Sequence, residues 1–297
     1  MSPASNILTQ FSAALSALAS GARGFVAHVE TQDGRELSGV LWKPNAVVVS
    51  EQILPDSGEY QVAVAGQTVK AQLAGRDEGT NVAVLKLASD LPQKLPGFTR
   101  PEVGSLALVL GAAAEGVSAR LAVIRALGGA WESIAGGTIA HRIVLDTAIG
   151  SEEGGPVVAA DGTLLGISTR GARRQGLVIP ASTVDKSVGI LLEKGSVERG
   201  WLGVALRPVA VPETLRPEGR QRIGLMVMDV AAGSPGAKAG ILGGDIILSA
   251  GGAPATRFGN IARQLGPNSI GKTIEIHLAR AGAIVTSAVT IEARKSG

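Results

Sequence analysis

The apolar residues of this chain recur first at helical spacing and then change period. Ile7, Leu8, Phe11, Leu15 and Leu18 lie three or four positions apart, which sets them on one face of a helix. The spacing predicts an amphipathic helix within 1–24 that docks on the body of the protein. From residue 25 the apolar residues come in short runs at 25–30, 37–42, 46–49, 60–64, 69–73 and 82–87. Turn residues such as Asp33-Gly34 and Pro44-Asn45 separate them. A Pro-rich link at 92–101 leads to a second set at 106–110, 119–124, 142–146, 156–159, 164–169 and 176–179. Two successive groups of about six short strands predict two antiparallel barrels or a sandwich. Helical spacing returns with Val184, Val188, Leu191 and Leu192; Ser182 is placed to cap this helix, Asp185 favours its dipole and Gly195 ends it. Beyond it, runs at 201–206, 224–230, 245–250, 273–279 and 284–292, with a short helix around 258–265, predict a small β-rich domain.

Composition adds little chemistry. The chain has 297 residues, enough for two ordinary domains. Its 41 glycines, about twice the usual ~7%, are scattered between the apolar runs and read as turn residues. Net charge is +3, and no run of five or six like charges argues for a nucleic-acid or membrane surface. The densest basic spot, Arg173-Arg174, reads as a solvated loop. The absence of cysteine removes disulfides, thiol nucleophiles and thiolate metal sites without fixing the compartment. No cofactor or metal motif is read. The stretch 11–19 is moderately apolar, but no Lys or Arg precedes Arg23, so a secretory leader is not expected and a cytoplasmic location is favoured. No segment is long enough to span a membrane.

Four segments, in order, carry a resemblance. They are "GVLWKPNAVVVSEQIL" (39–54), "TNVAVLKL" (80–87), "DTAIGSEEGGPVVAADGTLLGIST" (146–169), and "RGWLGVAL" (199–206) followed by "DVAAGSPGAKAGILGGDIILSAGG" (229–252). Together they resemble the HtrA-type serine proteases, in which a trypsin-like domain precedes a PDZ domain. Together with the N-terminal helix (1–24) and the linking helix (182–198) that the spacing predicts, the resemblance implies a mainly β protein with a trypsin-like double β-barrel (25–181) and a PDZ domain (199–297). It also makes homo-oligomers, or assembly with active relatives, conceivable, and leaves a periplasmic location open.

At the three positions that match the family's catalytic triad the residues differ. Gln52 stands where the resemblance expects histidine, and an amide does not titrate near neutral pH, so it cannot take a proton from a nucleophile. Asn81 stands at the aspartate position; in serine proteases that exchange alone costs about 10⁴ in rate. Here no imidazole is left to orient, so Asn81 reads as a turn cap. Glu153 stands at the nucleophile position, in a loop one residue shorter than the family's. The shortening is expected to distort the oxyanion hole, to which the nucleophile's own N–H contributes. Ser151, the nearby hydroxyl, lacks a base. His28, His141 and His277 read as structural or surface residues.

Glu152-Glu153 reads first as a solvated acidic loop tip. The alternatives are a carboxylate plugging the remnant oxyanion hole, a carboxylate acid–base site with Glu51 or Glu152, and a metal site of Glu51, Glu152 and Glu153. In the PDZ-like part, Trp201, Leu202, Gly203 and Val204 match the family's carboxylate-binding loop. The strand Val204, Ala205, Leu206 is expected to pair with an extended peptide. Phe258, Ile261, Ala262 and Leu265 would form the opposite wall or belong to the core. The expected ligand is a chain end or exposed segment with an apolar last residue. The favoured function is thus a non-catalytic peptide binder acting as scaffold, regulator or chaperone-like factor, the alternative an endopeptidase with a non-standard site.

Overall fold

Strands 2 and 3 of the chain read as unbroken apolar runs because both their faces are buried. Val40, Trp42 and Val48 join one apolar cluster, while Leu41, Val47 and Val49 join another. The computed structural model describes residues 3–56, 58–113, 116–133, 135–171, 175–216, 221–266 and 269–293. Its first six strands are β1 (Val26–Thr31), β2 (Glu36–Lys43), β3 (Ala46–Ser50), β4 (Tyr60–Val64), β5 (Gln67–Asp77) and β6 (Val82–Leu87). They close an antiparallel barrel in the order β1-β2-β3-β6-β5-β4. Then come β7 (Leu106–Ala113) and β8 (Gly116–Gly128), a two-stranded ribbon of β9 (Trp131–Glu132) and β10 (Thr138–Ile139), and β11 (Arg142–Ala148), β12 (Pro156–Ala159), β13 (Leu164–Arg170) and β14 (Gln175–Pro180). A second barrel closes in the order β11-β14-β13-β12-β7-β8.

Each barrel has its own interior. Val29, Leu41, Val62 and Leu85 fill the first; Val109, Ile124, Leu145 and Leu165 fill the second. A third cluster packs between them, with Val40, Val84, Leu110 and Ile167 joined by Val184, Val188 and Leu191 of helix α2 (Ala181–Lys194). Burying one such side chain fully contributes ~1.5–3 kcal/mol. Gly195 ends α2 in the left-handed conformation, as its position predicts. Ser182 does not cap: the helix starts one residue earlier, behind Pro180, and Asp185 instead accepts the Trp42 Nε1–H at 3.0 Å.

The N-terminal helix, taken as α1 because it comes first (Pro3–Gly21), docks by its second half only. Leu15, Leu18 and Ala19 pack on the cluster between the barrels, while Ile7 and Leu8 stay exposed. Among the described residues no helix is long and apolar enough to cross a membrane.

The chain divides into two units, one of residues 1–131 with 139–197 and one of 132–138 with 198–297. The second contains β15 (Gly200–Trp201), β16 (Val204–Ala210), β17 (Ile223–Val230), α3 (Pro235–Lys238), β18 (Ile246–Ala250), β19 (Ala253–Pro254), α4 (Phe258–Ala262), β20 (Thr273–Arg280), β21 (Ala283–Thr290) and β22 (Glu292–Ala293). The sheet runs β16-β17-β18-β20-β21, with β19 on β18, and β15 pairs with β22. Leu225, Val227, Ile247, Ile276 and Leu278 form its core.

Candidate functional site

The three triad-matched positions meet in one hydrogen-bonded cluster inside the double-barrel unit. β3 ends at Ser50, and the chain turns through a single 3-10 turn, Glu51–Ile53, that carries Gln52. Asn81 sits just before β6 with φ of 57°, a left-handed conformation that asparagine tolerates. Glu153 precedes β12, and Thr169 and Arg170 end β13. The Gln52 N–H donates to Asn81 Oδ1 at 2.8 Å, and Asn81 Nδ2 donates to Thr169 Oγ1 at 2.6 Å and Ser50 Oγ at 3.0 Å. Asn81 therefore does more than cap a turn: it ties β3, the Gln52 turn and β13 together.

Glu153 is 1% exposed and Glu152 5% exposed, so the expectation of a solvated acidic loop tip is overturned. What pulls these carboxylates inward is a full set of donors. Glu153 accepts from Gln52 Nε2, from Arg170 Nε, from the Arg170 N–H at 3.3 Å and from Ser50 Oγ at 3.3 Å. Glu152 accepts from Arg120 Nε at 2.9 Å and from the Gly150 N–H at 3.0 Å. Burial acts to raise the pKa of Glu152. The N–H donors of its own turn and the Arg120 guanidinium outweigh it, and the carboxyl is held below its ordinary range.

The turn between these two carboxylates and β12 is closed on itself. The Glu153 N–H donates to Gly150 O at 3.3 Å, Gly155 N–H to Glu152 O at 2.9 Å, and Ser168 Oγ to the same Glu152 carbonyl at 2.6 Å. Gly154 has φ of 86°, and a Cβ there would lie 2.5 Å from Ser38 O, so this position accepts only glycine. The amide that would help line an oxyanion hole is thus spent within the turn. Gln52 Nε2 also reaches Arg170 O at 3.3 Å, so both backbone groups of Arg170 are engaged by site side chains.

Ser50, Arg120, Thr169 and Arg170 were not singled out by the sequence, because their partners lie tens of residues away. Ser151 is exposed, with its carbonyl bound by Ser38 Oγ at 2.8 Å. Glu51 turns to Arg76, 3.4 Å away, and does not join Glu152 and Glu153. Among the described residues no three His, Asp or Glu side chains are grouped to hold a metal. His28 and His277 lie in β1 and β20 and take no part in these hydrogen bonds. Arg173-Arg174 lies outside the described residues.

In the second unit the loop 201–204 is clamped from behind. The Gly236 N–H donates to Leu202 O and the Ala231 N–H to Gly203 O, both at 2.8 Å. The C=O and N–H of one peptide plane point opposite ways, so the N–H groups of Gly203 and Val204 face away from this clamp. Gly203 has φ of 73°, and a Cβ on it would meet Ser234 Cβ at 2.1 Å. Trp201 is partly buried in β15, paired with Glu292; Leu202 is buried; Ala205 is exposed; Val204 and Leu206 lean on the core. The helix expected over 258–265 is α-helical only as α4, followed by a 3-10 turn, Arg263–Leu265. Ile261 is part of the core at 4% exposure and Leu265 packs against it, whereas Phe258 is the outward residue.

Comparison with known proteins gives a consistent picture. Residues 37–167 match a trypsin-like peptidase domain and residues 165–291 a PDZ domain. A probable periplasmic serine endoprotease, DegP-like, of Rhizobium meliloti (strain 1021) is 30% identical over 250 residues, covering 80% of this chain and 49% of the relative. The chain thus spans about half the length of the curated relatives it matches. The solved HtrA-type protease AlgW with a tripeptide is 27% identical with a TM-score of 0.72, covering 95% of this chain and 98% of that one. The serine endoprotease from Yersinia pestis is 26% identical with a TM-score of 0.71, covering 94% of this chain and 97% of that one.

Proposed function

For this chain, which belongs to the HtrA-type family of trypsin-like serine proteases carrying a PDZ domain, we propose a peptide-binding role without serine proteolysis. The observation that carries the proposal is the occupant of the triad pocket. Catalysis by this fold needs a hydroxyl nucleophile, a titratable base in contact with it, and an open pair of N–H donors. The pocket instead holds a buried carboxylate, Glu153, neutralised by Arg170 and bonded to the Gln52 amide, with its own N–H donating to Gly150 O. A negative charge at that point repels a developing oxyanion, and glutamine cannot serve as general base. With the backbone of Arg170 also engaged, ligand binding falls to the PDZ domain, whose loop 201–204 turns N–H groups outward from a glycine. Ligands are chain ends with an apolar last residue, and the protein acts as scaffold, regulator or chaperone-like factor.

A second reading, an endopeptidase with a non-standard site, is favoured by the relatives, which are named serine endoproteases. Those names also support a periplasmic location over the cytoplasmic one expected from the sequence. The two functional readings separate in one experiment: digestion of casein by the purified protein and by a Glu153→Ala variant. No cleavage by either is the expected result. Cleavage by the wild type that the substitution abolishes would establish the second reading and a carboxylate-based mechanism.

A further inference from the structure

Strand β21 ends the sheet of the second unit at the side away from β16, and among the described strands none pairs with its outer edge. Which of its residues turn backbone groups to that edge follows from the ladder. Ile291, next in the chain, donates its N–H to Lys272 O at 2.9 Å and accepts the Gly271 N–H at 2.8 Å, so its groups point to the β20 side. Glu275 stands opposite Ala288, and its carbonyl accepts the Gly251 N–H at 2.9 Å, away from β21. In an antiparallel ladder these directions alternate along each strand. Val285, Ser287 and Val289 therefore bond to β20, whereas Ile284, Thr286 and Ala288 present N–H and C=O to the free edge. The side chains divide the same way. Val289 belongs to the core and Ser287 Oγ donates to Ala239 O at 2.7 Å, while Ile284, Thr286 and Ala288 are exposed. Past Ile291 the edge is taken, because β22 pairs with β15.

An open sheet edge is a template for another strand unless charge, proline, a bulge or a cover blunts it. The two edges of this sheet differ in that respect. β16 carries Arg207 and Pro208 and has a register shift between Ala205 and Leu206. β21, eight residues long, has no charged side chain and no proline, and its ladder runs from Arg280–Ala283 to Thr273–Thr290 without a shift. Its neighbour β20 carries Glu275, His277 and Arg280, so the lack of charge belongs to the edge strand and not to the sheet.

We propose that β21 pairs with β21 of a second copy of this chain, antiparallel about a two-fold axis at Thr286, joining the two sheets edge to edge. Close to such an axis each residue faces itself or a near neighbour, so any charge would meet its like. An uncharged strand is what self-pairing requires. Thr286 meets its own copy, and a hydroxyl both donates and accepts. The sheet already holds one such cross-strand pair, Thr273 Oγ1 and Thr290 Oγ1 at 2.9 Å. Ile284, 53% exposed in the single copy, then lies opposite Ala288 of the other, on both sides of the axis. Each opposed pair exchanges two N–H···O bonds. The pairing leaves β16 free and does not depend on the peptide-binding reading above.

The test follows the mass of the full chain by sedimentation over about a hundredfold range of concentration. At the top of that range the wild type is expected to reach at least twice the mass of Thr286→Pro, whose self-association is weaker by about thirtyfold or more. That factor is two lost hydrogen bonds of ~1 kcal/mol, one donor from each copy. Proline is tolerated at an edge position whose nitrogen faces solvent, and the melting temperature checks that the variant folds. The chain has no cysteine, so Thr286→Cys carries a single thiol. Residues opposed in a hydrogen-bonded pair lie ~5.5 Å apart at Cα, within the span of a disulfide. Diamide is expected to link most of this variant into a dimer, while Ala160→Cys, at an exposed position of the first unit, stays unlinked. A Thr286→Pro mass equal to that of the wild type at every concentration, or Thr286→Cys linked no more than Ala160→Cys, would overturn the proposal.

Discussion

Replacing Arg170 with methionine tests whether the filled triad pocket is held by charge. Glu153 is 1% exposed, while the Arg170 side chain is 43% exposed, so the pair lies between two regimes. Breaking a buried pair costs ~3–5 kcal/mol because an uncompensated charge remains, whereas an exposed pair is worth ~0–1 kcal/mol. Glu153 would keep Gln52 Nε2, Ser50 Oγ and the backbone N–H of residue 170 as donors, which softens the loss. The exposed half of Arg170 is already shared with water. About 2 kcal/mol is expected, which for a unit of this size corresponds to roughly 4–8 °C in melting temperature. The assay is calorimetry of the full chain at pH 7, reading the transition of the double-barrel unit. A second substitution, Glu153→Gln, removes the stranded charge, so the double variant should recover most of the loss and give a clear coupling energy. A single-variant loss below about 0.5 kcal/mol, or a double variant equal to the sum of the singles, would refute an ion pair as what fills the pocket.

Two further outcomes are expected. Gly203→Ala places a Cβ 2.1 Å from Ser234 Cβ at a φ of 73°, so the loop must shift; more than a tenfold loss of peptide affinity is expected by titration, and unchanged binding would count against the loop's role. Acid should weaken both units in turn. Burial acts to raise the pKa of Asp245, but bonds from Arg280 and the Leu242 N–H outweigh it, and the Arg120 pair acts likewise on Glu152, so both folded-state values are lowered. A lowered folded-state pKa means that the stabilisation is complete above the unfolded value, about 4, and is lost as pH falls through the folded one. Melting temperatures should fall progressively below pH 4, and Arg280→Met should flatten that dependence for the second unit alone.

The N-terminal helix, the two groups of six strands and the small β-rich domain that follows were all legible in the sequence, because they depend on periodicity within a few residues; that only Leu15, Leu18 and Ala19 of the helix dock, leaving Ile7 and Leu8 exposed, was not. Val40 to Val49 read as strands since both faces needed apolar residues, and Gly195 and Gly203 read as special since only glycine is at ease with their backbone. The identities at the triad positions were equally local: no arrangement turns Gln52 into a base. What the chain order did not contain was who pairs with whom across tens of residues. Glu152 and Glu153 look like a solvated tip in one dimension; Arg120 and Arg170, brought in by β8 and β13, make burial affordable by neutralising both charges. Ser182 resembles a cap but lies inside α2, because Pro180 already sets the entry to the helix. Ile261 has the spacing of a groove wall, yet in the fold it is buried in one apolar cluster with Leu225, Ile247 and Ile276. Short-range pattern decides which elements form, whereas donors and charges separated along the chain decide what a site is, and only the fold brings them within reach of each other.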